Sequence, residues 1–227
     1  MRLLASIFCA LGLCLCLSGG AWGDSVAIQN ASFETTNPLI ASCAGPETCL
    51  YNFGPIPGWS ITGATGSFEP SSAYFNLPLP DGSILAYTNG GTISQTLTGI
   101  SLLANSTYTL SVDVGRRFDV VAANYSISLY DGSSVFCTSG GSNGSVAAGS
   151  FIDATLSCST GASVPSGFLG IVLAGDARQI DFDNVRLDVV SVSTPEPSVL
   201  VLMLTALGVV GLLFARSRRN HRLQVAS

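Results

Sequence analysis

Tyr108-Thr109-Leu110-Ser111-Val112-Asp113-Val114 decides the fold class, because large apolar residues alternate with short polar ones at every step. A strand turns successive side chains to opposite faces. This stretch therefore lays an apolar face on a core and a polar face toward water. Tyr125-Ser126-Ile127-Ser128-Leu129-Tyr130 repeats the pattern and stops at the turn pair Asp131-Gly132. Further outward, Val26 to Phe33, Ile84 to Thr88, Ile93 to Leu97, Phe151 to Leu156, Phe168 to Leu173 and Ile180 to Val189 read as strands. Asn89-Gly90-Gly91 reads as a hairpin turn between its flanking strands. Residues 34–80, rich in Gly, Pro and Ser, read as long loops. No segment keeps a 3.6-residue period. About eight strands make an all-β domain, expected as a jelly-roll β-sandwich with its long loops at one edge.

The 227-residue chain carries 10% charged residues and a net charge of −5. Ordinary soluble domains carry about 25% charged residues. The average hides three segments. Residues 24–193 hold thirteen of the fourteen acids and four of the nine arginines, a net of −9, and 40 of their 170 residues are Ser or Thr. With no Lys anywhere and so few Arg, a nucleic-acid surface is excluded, since phosphate binding needs clustered positive charge. Hydroxyl side chains keep such a weakly charged sandwich soluble.

Both ends read as targeting segments. Met1-Arg2, the apolar run Leu3 to Leu17 and the small residues up to Gly23 have the three parts of a signal peptide, which places the mature start near Asp24. At the other end, Val199 to Ala215 is apolar and is followed by Arg216, Arg218, Arg219 and Arg222. Seventeen residues at about 1.5 Å per residue reach about 25 Å, enough for a thin bilayer core. The Arg cluster puts the tail in the cytoplasm and residues 24–193 outside. Pro195-Glu196-Pro197, the apolar helix and the Arg-rich end together resemble the PEP-CTERM sorting signal. That resemblance implies a bacterial protein handled by an exosortase-type protease, anchored in the inner membrane before sorting and then held at the cell surface or in the matrix. The expected organisation is 1–23 signal peptide, 24–193 sandwich and 194–227 sorting signal.

Four cysteines remain after export: Cys43, Cys49, Cys137 and Cys158. An even count in an exported domain reads as two disulfides. Four cysteines allow three connectivities; Cys43–Cys49 with Cys137–Cys158 is favoured because each pair closes a local loop. The domain has no His and no CxxC, so zinc is disfavoured and a Ser-His-Asp or Cys-His catalytic set cannot form.

Trp59 and Tyr87 suit a sugar-stacking platform, with Tyr74, Gln95 and Arg117 as further ligand contacts. Aromatics also fill β cores, so Trp59 reads equally as a packed loop residue. Asp181 and Asp183, two apart on one strand, share a face, and paired carboxylates serve as acid and base when their surroundings separate their pKa values.

Asn30-Ala31-Ser32-Phe33-Glu34, Pro57-Gly58-Trp59 and Phe182-Asp183-Asn184-Val185-Arg186-Leu187 resemble, in order and spacing, the opening, middle and closing stretches of galactose-binding-like and carbohydrate-binding-module jelly rolls. The resemblance implies a structural Ca²⁺ shared by Glu34 and Asp183. The opening and closing stretches are also similar to those of the hapalindole-type cyclases, exported calcium-bound jelly rolls that use a carboxylic acid to drive a terpenoid-indole cyclisation. For that activity Asp181 and Asp183 are the candidate catalytic residues, and an aromatic pocket around the acid is required. The expectation is a surface-sorted protein whose sandwich binds or organises extracellular polysaccharide. The alternatives are a matrix protein without a ligand and a cyclase-like enzyme.

Overall fold

Tyr108, Leu110, Val112 and Val114 are buried while Thr107, Thr109, Ser111 and Asp113 lie on the opposite face, so the alternation predicts the pleat correctly. This strand sits between two antiparallel neighbours, pairing Leu110 with Leu156 on one side and with Leu187 on the other. Its apolar face is the floor of the core.

The structure is a computed structural model and describes residues 23–43, 49–191, 203–211, 213 and 216. The chain divides into two units, Met1–Ser191 and Val192–Ser227. The strands of the first are β1 (Asp24–Ser25), β2 (Ala41–Ser42), β3 (Leu50–Tyr51), β4 (Ser60–Thr62), β5 (Thr65–Glu69), β6 (Leu85–Asn89), β7 (Thr92–Ser101), β8 (Ser106–Arg116), β9 (Asn124–Asp131), β10 (Ser134–Ser142), β11 (Ser150–Ser159), β12 (Phe168–Gly175) and β13 (Gln179–Ser191). They form a jelly-roll β-sandwich. One sheet runs β11-β8-β13-β6-β5-β3-β2, with β1 also on β13; the other runs β10-β9-β12-β7-β4. The core between them includes Leu110, Val112, Val114, Ile127, Leu129, Ile171, Leu173, Phe182 and Leu187.

Three expectations are corrected. Asn89-Gly90-Gly91 is not a hairpin. β6 pairs with β5 and β13, whereas β7 pairs with β4 and β12, so the chain changes sheets at this point. Gly90, at φ 83°, supplies the left-handed residue that this corner needs. Val26 to Phe33 is not a strand. Asn30 and Phe33 have φ of 51° and 60°, and the Asn30 amide bonds the Thr35 backbone and Pro57 O, drawing the chain into a local turn. Residues 34–80 are not only loops, since they contribute β2, β3, β4 and β5.

The disulfides are Cys43–Cys49 and Cys137–Cys158. The second joins β10 of one sheet to β11 of the other.

In the second unit, residues 203–211, 213 and 216 are helical, within and just beyond the expected 199–215 span, and their side chains are exposed. Among the described residues no helix is long and apolar enough to cross a membrane. Residues 1–22 of the expected signal peptide, Pro195, Glu196, Pro197, Arg218 and Arg219 lie outside the described residues.

Candidate functional site

The larger sheet carries a second apolar layer on its outer face. On β6, Ala86 and Thr88 face the core, which turns Leu85, Tyr87 and Asn89 outward. On β13, Ile180 and Phe182 face the core, which turns Gln179, Asp181 and Asp183 outward. The segment between β5 and β6 folds over this face and buries Tyr74, Phe75 and Leu79 against Phe68, Leu85, Tyr87 and Cys49.

Asp181 lies at the centre of the layer. Its neighbours across the strands are Tyr87 on β6 and Gly115 on β8. A Cβ at Gly115 would stand 2.7 Å from the Phe151 ring and 3.0 Å from Phe75, two rings stacked 4.8 Å apart. The glycine thus lets an aromatic pair lie beside the acid. Asp181 is wholly buried. Its Oδ1 accepts a hydrogen bond from Gln179 Nε2 at 2.8 Å, and among the described residues its Oδ2 has no partner. Burial, the largest cause, pushes its carboxyl up to about 7, against the smaller opposing effects of the Gln179 bond and the nearby Arg117 charge.

Above Tyr87 and Gln179 opens a pocket of about 210 Å³. Tyr51, Phe53, Phe68 and Tyr87 form its aromatic wall, with Cys43 beside them. Asn89, Arg117 and Gln179 supply its polar groups. The Arg117 guanidinium lies 4.5 Å from the Tyr74 ring centroid and 5.1 Å from that of Phe68. It also donates to both carboxylate oxygens of Asp119, at 2.8 and 2.7 Å. Tyr87 donates to Asn52 O at 2.9 Å; burial, and secondarily Tyr51 and Asp181, push its phenol up to about 12, so it stays neutral.

The structure brings Tyr74, Tyr87, Arg117 and Asp181 together. It sets Trp59 and Gln95 apart, so the expected platform does not form. Trp59 is buried in the core between the sheets, 5.3 Å from Phe33, and its Nε1 donates to Asn30 O. Gln95 spends its amide on the backbone of Gln29 and on Gly58 O. Gln179, Asn89, Tyr51, Phe53 and Phe68 were missed. For the first two the signal was present: counting two residues from Asp181 and from Tyr87 along their strands finds them.

Glu34 and Asp183 meet on one loop. Glu34 Oε1 accepts the Ser83 and Ile84 backbone N–H groups at 2.8 and 2.7 Å. Asp183 Oδ2 accepts the Asp81 N–H at 3.0 Å and its Oδ1 that of Asn184 at 2.7 Å. Asp183 is buried, and that burial pushes its carboxyl up to about 7, with Asp81 and Asp113 adding repulsion. A buried carboxylate among like charges suits a hard cation. Among the described residues no group of three or more acidic, Cys or His side chains stands ready for a metal. A Ca²⁺ here would draw its other oxygens from backbone and water, which its chemistry allows.

The family model described as HpiC1 cyclase, HpiC1-like, matches residues 24–188. A cyclase from Fischerella sp. TAU in complex with 4-(1H-indol-3-yl)butan-2-one is 26% identical, with a TM-score of 0.61, covering 75% of this chain and 100% of its own. Another cyclase structure from that organism is 25% identical with a TM-score of 0.62, over 76% of this chain and 100% of its own. The Stig cyclase Fisc, in complex with (3Z)-3-(1-methyl-2-pyrrolidinylidene)-3H-indole, is 24% identical with a TM-score of 0.63, over 75% and 100%. No curated protein matches the chain in sequence. A buried acid next to an aromatic pocket and a match over most of the chain lead to one assignment: the chain belongs to the HpiC1-like cyclase family.

Proposed function

We propose that the chain is a cyclase that closes a ring on an alkene-bearing aromatic substrate of the terpenoid-indole class, with Asp181 as the acid. The observation that carries this reading is the unpartnered Oδ2 of a wholly buried Asp181 whose neighbours Tyr87 and Gln179 line an aromatic pocket. Protonated Asp181 gives its proton to an alkene carbon, leaving a carbocation. The aromatic ring attacks the cationic carbon, the alkene carbon that did not take the proton, forming the new C–C bond, and a ring proton returns to the Asp181 carboxylate. The substrate isomerises and the acid is restored, so no co-reactant is consumed. A carboxyl held near neutrality suits both proton transfers. The aromatic rings of Tyr51, Phe53, Phe68 and Tyr87, which line the pocket, stabilise positive charge.

The test is conversion of a prenylated indole to isomers of unchanged mass, followed by chromatography. Asp181→Asn is expected to lose about 10²–10⁴-fold in rate, the usual worth of a positioned general acid. Retention of full activity would overturn the assignment of the acid.

Export, the membrane span over 199–215 and sorting by an exosortase-type protease complete the proposal. Two disulfides support an oxidising compartment. A structural Ca²⁺ between Glu34 and Asp183 is part of the same reading.

A second reading keeps extracellular polysaccharide as a partner. A groove of about 450 Å³ beside β7 is lined by uncharged polar groups, among them Gln29, Ser60, Ser94, Thr96 and Thr98, which suits a neutral glycan. A glycan array with residues 24–193 tests it, and the absence of binding to any polysaccharide would sink it.

A further inference from the structure

The acid is not held by its own strand alone. Gln179 lies two residues before Asp181 on β13, on the same face. β8 runs antiparallel to β13 with Gly115 opposite Asp181. Arg117, two residues past Gly115, therefore arrives beside Gln179. Arg117 Nη1 donates to Gln179 Oε1 at 2.8 Å, and Gln179 Nε2 donates to Asp181 Oδ1 at 2.8 Å. A guanidinium can only donate, so it settles which end of the amide faces it. The amide nitrogen is left to face Asp181. Arg117 is fixed in turn by its two bonds to Asp119 and by the rings of Tyr74 and Phe68 beneath it. The chain of contacts runs from Asp119, whose side chain is half exposed, to an acid with no exposure at all.

We propose that Gln179 and Arg117 are the positioning residues of Asp181: Arg117 fixes the Gln179 amide, and the fixed amide holds Oδ1 so that the acid works through Oδ2 alone. This rests on the reading of Asp181 as the acid. Both residues also line the pocket next to Asp181. Neither needs to touch the reacting atoms.

Labelling of Asp181 by a water-soluble carbodiimide with glycinamide, read by peptide mass, tests the pair without any substrate. Buried Asp183, on the same face, is the internal control for unfolding. Gln179→Met keeps the length and removes the donor. It is expected to raise Asp181 labelling about tenfold while Asp183 stays unlabelled, roughly the equilibrium worth of one hydrogen bond to a carboxyl. Arg117→Met is expected to do the same, and Arg117→Lys, which still donates to Gln179 Oε1, to restore slow labelling. Wild-type labelling rates in both methionine variants, or a wild-type Asp181 that labels as fast as Asp119, would overturn the proposal. Where a methionine variant labels Asp183 as well, the fold has opened. Gln179→Asn, which keeps the amide and shortens its reach, then decides by the same criterion. Failure of the wild type to cyclise a prenylated indole speaks against the cyclase reading, whereas the labelling pattern decides the positioning pair.

Discussion

At the scale of single residues, the acids of the outer face are held in the state that water would deny them. Asp181 and Asp183 are both pushed up to about 7, chiefly by burial, and Asp113 is raised for the same first reason. An unfolded Asp titrates near 4. Between about pH 4 and 7 the folded chain therefore binds more protons than the unfolded one, and stability falls as pH rises through that window. Above 7 and below 4 the contribution of these three acids flattens. Asp181→Asn supplies a neutral side chain of the same shape and removes one contribution. In chelator, the melting temperature of the wild type is expected to fall relative to that of Asp181→Asn as pH goes from 4 to 7. A melting scan across this range checks the sign, and a difference that moves the other way would contradict the buried acid. Gly115 works at the same scale, since a larger residue there would displace the Phe75–Phe151 stack from beside Asp181.

At the scale of elements, legibility followed the alternation. β8, β9, β11 and β12 were readable because apolar residues recur at every second position. β10 was passed over because its Ser-Gly-Gly-Ser end has no apolar face to betray it. β5, Thr65-Gly66-Ser67-Phe68-Glu69, pairs with β6 over Thr65 to Phe68 and with β3 at Phe68 and Glu69, yet its buried residues are mostly small and polar. Pattern reading misses such a strand because neighbouring strands, not its own side chains, bury it. The β6–β7 corner fails for a different reason: Asn-Gly-Gly states that the chain turns, and not which sheet it turns into. On β13 the alternation breaks partway along. Ile180 and Phe182 point to the core, as do Val185, Leu187 and Val189, so the parity flips between them. Asn184, at φ 50°, marks that bulge, and its amide donates to Asp113 Oδ2. Asp181 and Asp183 could be placed on one face from spacing alone. The pocket above them could not, because its walls come from β3, β5 and β6, and two of those strands had read as loop.

At the scale of the whole molecule, the two ends of the domain are tied to each other and to the loop that precedes β6. β1 pairs with the end of β13 through Asp24↔Val189 and Ser25↔Asp188. Val26 N–H and Val185 N–H extend the contact to Leu187 O and Ala31 O. Glu34 and Asp183 then grip residues 81–84 from opposite ends of the sequence. A Ca²⁺ at this junction would neutralise Asp183 and link three distant segments. Because the ion requires Asp183 ionised, its stabilisation should grow as pH rises, opposite to the trend of the metal-free chain. At a concentration about 100 times its Kd, an ion that binds only the folded state adds about 2.7 kcal/mol. For a domain of this size that is about 5–10 °C in melting temperature. The expected result at pH 8 is a fall of that order on adding chelator, restored by calcium and abolished in Asp183→Asn. At pH 5, with Asp183 largely protonated, the same addition should change little. An identical melting curve with and without chelator at pH 8 would mean that the two carboxylates hold the loop by their hydrogen bonds alone.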